Sequence, residues 1–132
     1  MRNISELIKT IIPPADYEHR NGFNNEPYLD SLSESERGLV EDELIKMIEF
    51  SDDSLIAETL AYLKSTKSLK ILNKKLDSII HPREKIKFAA SIFKINPCDH
   101  KMADIAYDLL LRTSDTYDLI AIFYYLTIFN DS

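Results

Sequence analysis

The sequence predicts an all-α chain built as a stack of antiparallel helix pairs, and three observations carry that expectation. The 132 residues include only two glycines, Gly22 and Gly38, too few to turn the hairpins of a β fold. Apolar residues recur at three- and four-residue steps through most of the chain, the period of an amphipathic helix. Most informative, the pairs Ile56-Ala57, Phe88-Ala89 and Ile120-Ala121 are evenly spaced by 32 residues. The same step joins Leu60 to Ile92, Leu63 to Ile95, and the set Val40, Leu44, Met47, Ile48 to Leu72, Leu76, Ile79, Ile80. A period of one helical hairpin describes units that bury their apolar stripe only against a neighbour.

The elements follow in order. Asn3 and Glu6 have capping-box spacing and open a helix over Ile4 to Ile12, stopped by Pro13-Pro14. Ala15 to Leu32 reads as a long polar connection, with Tyr17, His19, Phe23 and Tyr28 in it. A connection of that length in a small domain is functional or mobile. Ser33 and Glu36 form a second capping box ahead of Leu39, Val40, Leu44, Met47 and Ile48. Ser51-Asp52-Asp53 punctuates before a helix from Leu55 to Leu63, and Ser65 to Ser68 turns the chain into its partner, Leu69 to Ile79. Pro82 suits a first helical turn, where its missing N–H has no partner to lose. Lys85 to Ile95 is the next helix, ended by Asn96-Pro97, and Met102, Ile105, Ala106 and Leu109 line its partner. Ser114-Asp115 caps a last helix, Thr116 to Phe129, apolar on almost every side. The expectation is one helical-repeat domain over 1–132, with a terminal helix and loop in 1–32 and repeat helices in 33–129.

The charge is unevenly placed. Net charge is −6, yet residues 1–53 hold 13 acids and 5 bases while residues 54–132 hold 9 acids and 11 bases. Such asymmetry gives the surface a sign that steers a charged partner. The N-terminal MRNISELIKTIIPP lacks a signal peptide's apolar run and cleavage site, and no stretch reaches the ~20 apolar residues of a membrane span. The expectation is a cytoplasmic protein with no membrane contact. The single Cys98 excludes an internal disulfide. With His100 it supplies two metal ligands where an open zinc site needs three, so no metal or cofactor is expected. Nucleic acid is disfavoured by an isoelectric point near 5.0. Five arginines (Arg2, Arg20, Arg37, Arg83, Arg112) and no aromatics among Lys70, Lys74 and Lys75 point the same way.

The segment HPREKIKFAASIFKINPCDHKMADIAYDLLL, His81 to Leu111, resembles the short kind of HEAT repeat. Ile86-Lys87 matches that family's aliphatic-then-basic pair and Ala89-Ala90 its small pair. Ile92 and Ile95 take its aliphatic positions, and Met102, Ile105 and Leu109 line the second helix. The unit at Leu55 to Ile80 departs from the pattern at Ser54 and Ile56, and the third has Asp118 at the basic position. The resemblance covers residues 39–129. It implies a right-handed α-α superhelix, an α-solenoid, that binds proteins along a curved surface.

In size, charge and architecture the chain is similar to several bacterial immunity proteins, which cover a cognate toxin. That likeness implies a non-enzymatic module covering a basic toxin domain through an acidic surface formed by Asp30, Glu34, Glu36, Glu41, Asp42 and Glu43. The repeat offset sets Asp42, Lys74 and Tyr107 in one outer column and Glu43, Lys75 and Asp108 in the next, where opposite signs alternate. Lys74, Tyr107 and Asp108 are therefore further candidate partner residues. Two alternatives stand beside this. A small hydrolase or lyase would place its chemistry in Asp16-Tyr17-Glu18-His19-Arg20, where acid, base and cation lie together. A homodimer, in place of a monomer, would pair through Ile122, Tyr125 and Phe129.

Overall fold

The computed structural model describes residues 3–130; Arg2, counted above among the bases, lies outside them. Among the described residues the chain forms nine α-helices and no strand. These are α1 (Ile4–Ile11), α2 (Tyr17–Arg20), α3 (Glu26–Asp30), α4 (Glu34–Ile48), α5 (Ser54–Tyr62), α6 (Leu69–Ser78), α7 (Pro82–Ile95), α8 (His100–Arg112) and α9 (Thr116–Asn130). A 3-10 turn, Thr66–Ser68, leads into α6.

Local chemistry sets the helix starts. The Ser33 hydroxyl accepts from the Glu36 N–H at 3.2 Å while the Glu36 carboxylate accepts from the Ser33 N–H at 2.9 Å, a complete capping box. The carboxylates of Asp53, Asp99 and Asp115 accept from N–H groups of the turns that follow them, at the starts of α5, α8 and α9. Pro82 occupies the first turn of α7.

Packing centres on α7, which lies against α5, α6, α8 and α9. Its sequence explains the position: Ile86, Phe88, Ala89, Ala90, Ile92 and Phe93 are all buried, so it is covered on every side. Ala57 on α5 and Ala89 on α7 are fully buried. Small residues let neighbouring backbones approach while Leu60, Ile92 and Phe88 fill the space around them. At the other end α1 packs on α3 and α4, and Leu7, Ile11, Leu29 and Leu32 join the same core.

The connection expected over Ala15 to Leu32 is instead folded into α2 and α3. Arg20 anchors it, donating to both carboxylate oxygens of Asp53 at 3.2 and 2.8 Å and to the Pro13 carbonyl from Nε and Nη2 at 3.0 and 2.7 Å. Buried Asn25 donates from Nδ2 to the Ile11 carbonyl at 3.1 Å and to Thr59 Oγ1 at 2.8 Å. Polar side chains, more than an apolar stripe, hold this segment down.

The 32-residue step holds for α5 and α7 and then fails. Ile56 and Phe88 are buried, whereas Ile120 is 61% exposed and Ala121 half-buried. Ile80, matched to buried Ile48, is 91% exposed because α6 ends at Ser78 and Ile79 turns extended. Helix α9 buries Ile122, Leu126 and Phe129 instead. A helix apolar on all sides carries no polar face to select its register, so packing on α7 and α8 decides it. Ile122, Tyr125 and Phe129, expected to meet a second copy, therefore turn inward. Phe129 packs on Phe93 with ring centroids 5.0 Å apart, and Tyr125 bonds to Glu58.

Candidate functional site

Helix α3 stands between two recesses. On one side, Asn3, Glu6, Leu7, Thr10 and Ile11 of the α1 segment face Tyr28 across a groove of about 350 Å³. On the other, Phe23, Asn24, Asn25 and Glu26 face α5 across a cleft of about 390 Å³. Leu55, Glu58, Thr59, Ala61 and Tyr62 form its far wall, with Lys64 and Lys94 at one end. The ridge is a short helix, Glu26–Asp30, with Pro27 in its first turn and only Leu29 buried within it. Its outward side chains are Glu26, Tyr28 and Asp30. Tyr28 stacks on Phe23, centroids 6.4 Å apart, and Asp30 accepts a 2.6 Å hydrogen bond from the Tyr62 hydroxyl. That bond pushes the Tyr62 hydroxyl's pKa up, so it remains a donor.

Glu58 is the chemically distinctive group of the cleft. Burial pushes its carboxyl above the usual carboxylate range, opposed by the charges of Lys87 and Lys94. Tyr125 donates its hydroxyl to Glu58 Oε1 at 3.3 Å, and burial together with that carboxylate pushes the phenol well up, keeping it protonated.

Lys64 is the second distinctive group. It follows α5 with φ +56, a left-handed conformation that favours glycine. Lys64 N–H donates to the Ala61 carbonyl and Ser65 N–H to the Leu60 carbonyl, both at 3.0 Å, which closes a Schellman cap around a lysine. Its Nζ then reaches the Lys94 carbonyl at 3.2 Å across the end of the cleft. A strained residue lining a recess is the arrangement expected where a side chain matters more than local comfort.

The acidic residues named from sequence separate into two groups. Glu34 and Asp30 are exposed near the α3–α4 bend. Glu36 is 6% exposed and committed to its capping box, so it adds nothing to an outer acidic surface. Asp42 pairs with Lys67 Nζ at 2.8 Å, which also lies 3.5 Å from Glu41. Those carboxylates raise the lysine's pKa, the hydrogen bond that Lys67 donates to Asp42 first. Glu43 is half-buried beside Ile4, Ile8 and Lys9.

The two outer columns do not form as expected. Lys75 pairs with Asp52 at 2.7 Å rather than with Glu43, and Asp108 accepts from Arg112 at 3.1 Å on its own helix. Asp42 takes Lys67 in place of Lys74, which is exposed, and Tyr107 is 43% exposed on α8. Lys67 sits in the 3-10 turn, a feature the repeat offset ignores, and it reaches α4 first.

The Asp16–Arg20 segment is engaged in holding itself. Asp16 accepts from the His19 N–H at 2.8 Å and from His19 Nδ1 at 2.7 Å, which lowers its pKa. Arg20 is tied to Asp53 as described. Cys98 is exposed between α7 and α8, and among the described residues no group of three or more His, Cys, Asp or Glu side chains is placed to hold a metal ion. No helix among them is long and apolar enough to cross a membrane.

Six acids within residues 1–53, Glu6, Glu18, Glu26, Asp30, Glu34 and Glu49, are exposed and have no ion-pair partner among the described residues. Glu58 and Lys64 were not picked out by sequence reasoning. A lone acid on an apolar helix was the available signal for Glu58, and nothing in the local residue types marks Lys64 as left-handed. Comparison with family models, curated proteins and solved structures found no match.

Proposed function

We propose that this chain is a non-enzymatic protein-binding module, a small cytoplasmic immunity or inhibitor protein that covers a basic partner. The α3 ridge carries the reading. Glu26 and Asp30 flank an exposed tyrosine between two recesses, and Glu6 lines one of them, so one surface combines negative charge with a rigid aromatic anchor. Tyrosine is enriched among hot-spot residues, and surrounding charge raises the association rate. The cleft has Glu26 and Glu58 for basic groups and Lys64 and Lys94 for carboxylates or carbonyls. That mixture suits a polypeptide loop better than a phosphate-bearing ligand, which the acidic wall repels.

In this reading the helices form a HEAT-like right-handed stack. The succession of α5 on α7 and α7 on α9, with Ala57 and Ala89 fully buried, supports it. The exposed Glu6, Glu26 and Glu34, without an ion-pair partner among the described residues, replace the Glu41–Glu43 run as the charge that a partner meets.

The test uses the protein as bait in extracts of its source cells, beside the triple variant Glu26→Lys, Asp30→Lys, Glu34→Lys. The expected result is a partner with a basic surface that the parent retains, that rising salt releases, and that the variant fails to hold. Equal retention by both baits, or a partner with an acidic surface, contradicts the reading.

A further inference from the structure

Helix α9 carries one charged residue among Thr116–Phe129, Asp118, which is buried beside Arg83 with Nε 2.8 Å from its carboxylate. The outward arc of the helix is therefore uncharged. Tyr117 is 75% exposed, Ile120 61%, Phe123 58% and Tyr124 71%, and Thr127 completes the strip. These residues fall at the three- and four-residue steps of a single helix face. On a chain with a net charge of −6, a face so large and so free of charge stands apart from the rest of the surface.

We propose that this face pairs with the same face of a second copy, α9 against α9 around a two-fold axis. Charge is the first argument. Two acidic chains repel wherever like-charged faces meet, and this arc lets them approach without opposing carboxylates. It also offers nothing to the basic partner proposed above, which the α3 ridge addresses.

Area is the second argument. Three aromatic rings and an isoleucine, each more than half exposed, present on the order of 500 Å² per copy, taking 150–250 Å² as the burial of a whole aromatic side chain. Two such faces bury about 1,000 Å², the lower bound of a specific interface. A self-complementary contact of that size gives a reversible dimer rather than an obligate one. In the antiparallel arrangement Ile120, Phe123 and Tyr124 lie near the axis, since they are central to the strip, and Tyr117 and Thr127 exchange across its ends.

Sedimentation of the full chain from about 1 to 500 µM tests this, the range in which contacts at the low end of interface size dissociate. The expected result is a mass rising from one chain to two, while Ile120→Asp/Tyr124→Asp stays at one chain throughout with the parent's circular dichroism. Should that variant misfold, Tyr124→Cys in a Cys98→Ser background supplies a second readout. Mild oxidation should link it into a covalent dimer, and Lys74→Cys in the same background should stay unlinked. A parent monomeric at 500 µM overturns the proposal. So does a dimer that survives the double substitution, or cross-linking no better at position 124 than at position 74.

Discussion

Tyr125 donates its hydroxyl to Glu58 across 67 residues of chain, joining the last helix to the α5 wall of the α3–α5 cleft. The bond is long at 3.3 Å, and the carboxylate that receives it is held above its usual pKa by burial. Because the folded value is raised, the sign follows directly. Glu58 favours folding below its unfolded value of about 4.5 and loses that contribution as pH rises through the folded value. Glu58→Gln keeps an acceptor for Tyr125 and removes the ionisation. The variant should gain about 1 kcal/mol over the parent at pH 7, the scale of a partly compensated buried polar group, and little or nothing at pH 4. Urea midpoints at the two pH values check this; an equal difference at both contradicts it.

Lys64 occupies a backbone conformation that costs a side-chain-bearing residue about 1–2 kcal/mol, against about 0.5–1 kcal/mol of unfolded-state freedom that glycine adds. Lys64→Gly should therefore stabilise the fold by up to about 1 kcal/mol while removing a cation from the cleft. Thermal denaturation gives the first quantity and partner affinity the second. A destabilised variant would show that the Lys64–Lys94 contact outweighs the backbone strain.

Ala89→Leu should destabilise by about 1–3 kcal/mol, since four extra-helical neighbours leave no room on α7 for three more carbons. Ala121→Leu, at the matching repeat position, should cost less because Ala121 is half-buried. Equal shifts in the urea midpoint would mean that the two sites are equivalent after all.

That contrast shows where the sequence was readable. The capping boxes, proline punctuation and small-residue pairs are local chemistry, so the helices from α4 onward, and the burial of Ala57 and Ala89, could be anticipated, with α7 starting three residues earlier than the Lys85 expected. What failed depended on long-range geometry. Helices α2 and α3 have too few apolar residues to announce themselves, and depend on Arg20 reaching Asp53 and Asn25 reaching Thr59. The inward face of α9 was hidden because nearly every side of it is apolar. At the site, composition placed negative charge in residues 1–53, but only the three-dimensional arrangement separates the capped Glu36 and paired Asp42 from the exposed Glu26 and Glu34.

The most direct test of the central claim is the association rate of the captured partner with the parent and with Glu26→Lys/Asp30→Lys/Glu34→Lys, each at low and high salt. An acidic surface that steers a basic partner predicts fast association for the parent at low ionic strength, slowed about tenfold or more by salt. The variant should be slow under both conditions with its urea midpoint little changed. Identical low-salt rates for parent and variant would contradict the claim that the α3 ridge receives the partner.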